Sequence, residues 1–243
     1  MIDLHTHVLP GLDDGARSLD DSRALALEAT AEGISVLVAT PHVRDDYPTT
    51  AEMMEEAVAE LRADFADQGI PVEVVHGAEV DLSLLWAIPP AELRRLTIAQ
   101  TGRYLLLEFP YRRWPLALET SVKRLVALGI TPVLAHPERN PEVQDRPDRL
   151  RGLVEEGALV QVTAASLEGV RDPAAQAAAL RLLELGLVHV LASDSHGPHI
   201  RREGLGAVAR GIGDPELARY LTVEAPGAIL AGQPVPERRL SVS

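Results

Sequence analysis

The stretch Glu32-Gly33-Ile34-Ser35-Val36-Leu37-Val38-Ala39-Thr40-Pro41-His42 carries three signals in order. Glu32-Gly33 closes a helix, because glycine takes the left-handed backbone conformation in which helices end. Residues 34–39 then form a short β-type run. Its unbroken apolar core, Val36-Leu37-Val38-Ala39, implies a strand covered on both sheet faces. His42 comes just past the C-terminal end of that strand.

The same unit repeats along the chain. Upstream, Ser18 opens the preceding helix with Asp21 placed as in a capping box. Leu19, Ala26, Leu27 and Ala31 give that helix its apolar stripe. Residues 2–4 supply an opening strand. Downstream, a helix over 50–68 stops at Gly69 before a strand at 72–75, and residues 89–96 are helical before a strand at 104–109. Helices closing near Gly129, Gly157 and Gly186 precede strands at 132–135, Leu159–Thr163 and 187–192. Seven strands alternating with helices predict a parallel sheet with helical crossovers. Periodicity alone leaves an open doubly wound sheet and a closed barrel equally open.

The residues at the strand ends decide between them. His5 and His7 end the first strand, His42 comes after the second, and Glu79 after the third in Gly77-Ala78-Glu79. Glu108 ends the fourth, His136 comes after the fifth, and Asp194 and His196 after the seventh. Strand ends in a barrel share one rim, so ligands distant in sequence meet there. An open sheet would spread them too widely. Histidines two apart on a strand face the same way, and imidazole with carboxylate suits Zn, Mn or Fe. Asp13 and Asp14, in the loop Gly11-Leu12-Asp13-Asp14-Gly15, offer one further ligand between them. Taken singly, each residue has an ordinary structural reading; the joint pattern does not. His76 and His189 read as structural strand residues, and His199 also falls outside the pattern.

Composition narrows the partners. The 243 residues carry a net charge of −13, a poor match for nucleic-acid backbones or anionic membranes. No cysteine is present, which excludes disulfides and a thiol nucleophile. No apolar run reaches membrane-span length, and no signal peptide precedes the first strand, so a cytoplasmic setting is expected. One domain over residues 1–231 and a loose C-terminal tail over 232–243 are expected.

The segments Asp3-Leu4-His5-Thr6-His7, Leu9-Pro10-Gly11-Leu12-Asp13-Asp14-Gly15-Ala16, Ala39-Thr40-Pro41-His42, Glu108-Phe109-Pro110, Ala135-His136-Pro137-Glu138-Arg139-Asn140 and Ala192-Ser193-Asp194-Ser195-His196 resemble the PHP (polymerase and histidinol phosphatase) superfamily. Within it the chain is similar to the bacterial protein-tyrosine phosphatases of capsule and exopolysaccharide operons. The resemblance implies a distorted (β/α)7 TIM-like barrel holding three divalent ions, with Mn first and Fe or Zn as alternatives. It assigns His5, His7, Glu79 and Asp194 to one ion. Glu79, Glu108 and His136 go to a second, and Asp14, His42 and His196 to a third. It matches Arg139 and Arg201 to substrate-binding arginines.

The expected reaction is phosphomonoester hydrolysis by a metal-activated hydroxide attacking phosphorus in line, with Asp194 or His196 assisting proton transfer. The expected partner is a phosphotyrosine protein, an autophosphorylating tyrosine kinase of polysaccharide synthesis, and oligomerisation is compatible with it. Histidinol phosphate is the alternative substrate. An amidohydrolase-type C–N hydrolase, a nuclease and a metal-binding scaffold are weaker alternatives. Asp3 either orients a ligand histidine or binds loop amides. Tyr111 and Trp114 either flank an aromatic phosphate or pack on the rim.

Overall fold

The computed structural model describes residues 1–169, 172–197 and 204–238. Among these, ten short strands build the frame: β1 (Ile2–Thr6), β2 (Val36–Ala39), β3 (His42–Arg44), β4 (Tyr47–Pro48), β5 (Glu73–His76), β6 (Glu79–Asp81), β7 (Tyr104–Glu108), β8 (Thr131–Ala135), β9 (Leu159–Thr163) and β10 (Val190–Ala192). The second and third expected strands are each broken in two. β2 passes into β3 across Thr40-Pro41, and β5 into β6 across Gly77-Ala78. Proline has no amide hydrogen to give a ladder. Gly77 approaches β2 so closely that a Cβ there would lie 2.7 Å from Val38 Cγ1.

The lower halves pair in the order β1-β2-β5, and the upper halves continue β3-β6-β7-β8-β9-β10, all parallel. Closure comes from Asp194 N donating to His5 O and His7 N donating to Ser195 O, both at 2.9 Å. The result is the barrel that the strand-end ligands favoured, in the distorted seven-stave form that the family resemblance implied. An antiparallel hairpin, β3–β4, was not anticipated. In it Val43 pairs with Pro48 and Arg44 with Tyr47.

Helices cover the outside. The one at Leu19–Ala31 starts at Ser18, whose hydroxyl accepts from Asp21 N, while Asp21 reaches back to Arg17 N. The one at Ala51–Gln68 is capped by Thr50 and ends at Gly69 with φ 65°. The barrel interior is a small apolar cluster including Leu4, Val38, Val75, Leu106, Val133 and Val190. A larger one fills the space between barrel and helices. β1 carries a bulge: Asp3 pairs with Leu37 and Thr6 with Ala39, so three steps on one strand match two on the other. An extra residue reverses the facing of the residues after it. Leu4 therefore points into the barrel, and so do His5 and His7.

The described residues of the C-terminal segment make two contacts with the barrel and its helices. Tyr104 donates its hydroxyl to Gln233 O at 2.6 Å, and Arg238 donates to Leu183 O at 2.9 Å. No described helix is long and apolar enough to cross a membrane.

Candidate metal centre

His5 and His7 are both fully buried, and their Nε2 atoms stand 3.2 Å apart. Glu79 Oε2 lies 3.2 Å from the first and 3.4 Å from the second. Asp194 Oδ1 lies 3.3 and 3.4 Å from the same nitrogens. A cation with ligand bonds of about 2.1 Å spaces tetrahedral ligand atoms about 3.4 Å apart. The four atoms therefore stand at coordination spacing.

Two hydrogen bonds set the imidazole tautomers. His5 Nδ1 is 3.1 Å from Gln161 Oε1, an oxygen that also accepts from His136 N. The amide oxygen thus faces the ring, and His5 Nδ1 donates. His7 Nδ1 donates to Asp13 Oδ2 at 2.6 Å. Both Nε2 atoms are left with lone pairs aimed at one point, joined there by two carboxylate oxygens and shielded from water. Such a convergence is repulsive unless positive charge sits within it. The residues fit a divalent ion on this ground alone.

The charge balance agrees. Burial opposes protonation of His5 and His7, yet Glu79 and Asp194 hold the His5 pKa above the ordinary one, and Asp13, with Asp194 and Glu79, holds that of His7 well above it. Burial likewise opposes ionisation of Glu79 and Asp194. His5 and its neighbours nonetheless keep both well below the usual carboxylate range, with Arg139 adding to the effect on Asp194. Glu108 goes the other way: burial and adjacent Glu79 push it up. Glu108 Oε2 and Asp194 Oδ1 are buried without a hydrogen bond.

The remaining expected ligands surround this cage. Glu79 is its hub, with Oε1 2.8 Å from His136 Nε2 and Oε2 3.0 Å from His42 Nδ1. His42 Nε2 and His196 Nε2 lie 3.5 and 3.4 Å from Asp14 Oδ1, which brings together the three residues assigned to a third ion. The residues assigned to a second ion lie on two sides of Glu79. Glu108 groups with His42 and Glu79, and His136 with His5 and Glu79. Arg44, from the hairpin, donates to Glu108 Oε1 at 3.3 Å.

The backbone is bent to present these groups. His136 and Asp194 have φ of 39° and 53°, in the left-handed region, a strain of about 1–3 kcal/mol each that surrounding contacts must offset. Gly15 lets the first loop fold over His7. A Cβ there would sit 2.2 Å from His7 O.

Gln161 is the site residue that sequence reasoning missed, and Asp13, offered there as an alternative ligand to Asp14, binds His7 Nδ1 instead. Asp13 accepts from His7 Nδ1, from His42 N at 3.0 Å and from Gly15 N at 2.9 Å. Burial raises its pKa, but His7 and these amides bring it down to about 2. A signal for Gln161 existed: it is a lone amide inside the apolar strand Leu159–Thr163. Asp3 binds amides, those of His5 and Ser193, as one of its two readings had it.

Arg139 donates to Asp194 Oδ2 at 2.7 Å while Oδ1 faces the cage. Its side chain keeps 28% of its surface exposed, so it reaches the rim. The Tyr111 ring stacks on His136, whereas Trp114 packs against Phe109 and beneath Arg149. Burial, with Asp194 and Glu79 nearby, outweighs Arg139 and pushes the Tyr111 hydroxyl up to about 12. His76 is a half-buried strand residue, and His189 Nδ1 accepts from Val160 N. Arg201 and His199 lie outside the described residues.

Known proteins share this arrangement of fold and sequence. The family described as "Capsular polysaccharide synthesis, CpsB/CapC" matches residues 1–230. The tyrosine-protein phosphatase YwqE of Bacillus subtilis is 36% identical over 230 residues, 93% of this chain and 90% of that protein. The tyrosine-protein phosphatase CpsB of Streptococcus pneumoniae is 29% identical over 243 residues, 96% of this chain and 99% of that protein. A crystal structure from work on these two proteins, described as unique metal-dependent tyrosine phosphatases, superposes with a TM-score of 0.85 at 33% identity. It covers 97% of this chain and 96% of its own.

Proposed function

The chain belongs to the CpsB/CapC family of capsular polysaccharide synthesis, and from that premise we propose that it is a metal-dependent protein-tyrosine phosphatase. The observation that carries the assignment is the convergence of His5 Nε2, His7 Nε2, Glu79 Oε2 and Asp194 Oδ1 on one buried point, with both imidazole protons committed elsewhere. His5, His7, Glu79 and Asp194 would hold one ion. Glu79, with His136 and Glu108 on its two sides, would hold a second, and Asp14, His42 and His196 a third. Manganese is the proposed ion. Iron and zinc are its competitors, because imidazole with carboxylate suits all three.

Divalent ions at such a centre neutralise phosphoryl oxygens and make a water acidic enough to attack at neutral pH. The chain's own residues do the rest. Arg139, held by Asp194 Oδ2 at the rim, presents a planar fork of donors that matches phosphate oxygens. Arg201 is proposed as a second such donor. Asp13 and Gln161 keep the two imidazoles in the ligating tautomer. The proposed protein substrate is an autophosphorylating tyrosine kinase of polysaccharide synthesis, a choice supported by the family's role in capsule synthesis.

The test is phosphate release from a tyrosine-phosphorylated peptide and from histidinol phosphate, with added manganese, with chelator, and with His136→Ala. Manganese-dependent turnover of the peptide, lost in the variant, is expected. Preference for histidinol phosphate would overturn the substrate and keep the centre. No turnover of either would sink the phosphatase assignment.

A further inference from the structure

The loop after β7 presents Tyr111 to the centre in a way that neither ligation nor folding requires. Its ring lies nearly parallel to the His136 imidazole, with 14° between planes and 5.3 Å between centroids. Its hydroxyl stands 3.5 Å from an Arg139 nitrogen. The residue is nonetheless 45% exposed. One face of the ring is thus covered by His136, and the other side opens to solvent. Trp114, in the same loop, is committed differently. It packs edge-on against Phe109, lies beneath Arg149 and donates Nε1 to Glu119. Trp114 therefore holds the loop in shape, and Tyr111 is the aromatic group left free to meet a ligand.

An aromatic ring open on one side, beside a guanidinium that points at a carboxylate cage, suits one kind of ligand: a second aromatic ring carrying an anion. Offset stacking pairs the rings, and the attached anion reaches the guanidinium. We infer that Tyr111 is a specificity-determining residue for aryl phosphates, stacking on the ring of the leaving group and steering its phosphoryl group to Arg139. This rests on the phosphatase assignment above. An alkyl phosphate has no ring to place there and gains nothing from Tyr111.

The test compares wild type, Tyr111→Leu and Tyr111→Phe as full-length, manganese-loaded protein. It reads kcat and KM on a tyrosine-phosphorylated peptide and on its serine-phosphorylated counterpart. It also reads dissociation constants for benzylphosphonate and methylphosphonate, which report binding without turnover. In Tyr111→Leu, KM for the tyrosine peptide rises and benzylphosphonate affinity falls by about tenfold. Methylphosphonate affinity stays within about twofold, which also shows that the variant is folded. Tyr111→Phe keeps the aryl preference, because the ring and not the hydroxyl supplies the stacking. Equal losses on aryl and alkyl ligands, no loss on either, or a loss in Phe as large as in Leu would each overturn the role of Tyr111 alone. A wild type that hydrolyses no phosphate and binds neither phosphonate would overturn the phosphatase assignment, and this inference with it.

Discussion

Asp13→Asn isolates what one carboxylate contributes without ligating anything. Asp13 uses both oxygens: Oδ2 accepts from His7 Nδ1 at 2.6 Å and His42 N at 3.0 Å, and Oδ1 accepts from Gly15 N at 2.9 Å. Asparagine keeps the shape but turns one of those atoms into a donor. If its oxygen faces His7, the tautomer survives, the charge-assisted bond is lost and Gly15 N faces an NH2. If its nitrogen faces His7, the ring must release its Nδ1 proton or turn. Charge-assisted bonds contribute about 1.5–3 kcal/mol, and partners that orient a ligating imidazole are worth about 10–100-fold in metal affinity. The expected loss of manganese affinity is therefore about 10–100-fold, or about 1.4–2.7 kcal/mol. Calorimetric titration of chelator-treated protein measures it directly, and Asp21→Asn, which disturbs only a helix cap, serves as control. Wild-type manganese affinity in Asp13→Asn, with the fold intact, would refute the argument that Asp13 sets the ligating tautomer of His7.

Three further outcomes are expected. Gly15→Ala forces the first loop away from His7, since the new Cβ would meet His7 O at 2.2 Å and His7 Cβ at 2.4 Å. Manganese affinity should fall at least as far as in Asp13→Asn, and urea unfolding should show a loss of about 1–3 kcal/mol. Chelation should lower the thermal midpoint and manganese restore it, because one ion at about 100 times its dissociation constant adds about 2.7 kcal/mol. A midpoint indifferent to both would argue against any ion at the centre. Burial lowers the His189 pKa to about 4, below its unfolded value of 6.5. The unfolded chain therefore takes up a proton between those values while the folded one does not, so stability is complete above about pH 6.5 and is lost as pH falls toward 4. His189→Asn, whose side-chain oxygen can accept from Val160 N, should be less acid-sensitive than wild type by roughly 1–2 kcal/mol at pH 5. Identical acid limbs in the two metal-free proteins would rule this out.

The repeating unit of helix, glycine, apolar strand and polar residue is local, and local patterns survive in a one-dimensional string. His5, His7, His42, Glu79, Glu108, His136, Asp194 and His196 were legible for that reason, and so was the barrel, since one rim alone could gather them. Tertiary contact decided the rest. Asp13 and Asp14 are chemically identical neighbours, and only the turn at Gly15 determines that the first grips His7 Nδ1 while the second faces His42 and His196. Gln161 gains its place at the site only where β9 comes up beside β8 and His5. The bulge in β1 is a mismatch between two strands, invisible in either one alone. Tyr111 and Trp114 were equivalent in sequence and separated only when one met His136 and the other Phe109. Residue type and spacing specify what a side chain can bind. Which partner lies within about 3 Å of it, at hydrogen-bonding distance, depends on chain brought back from far along the sequence.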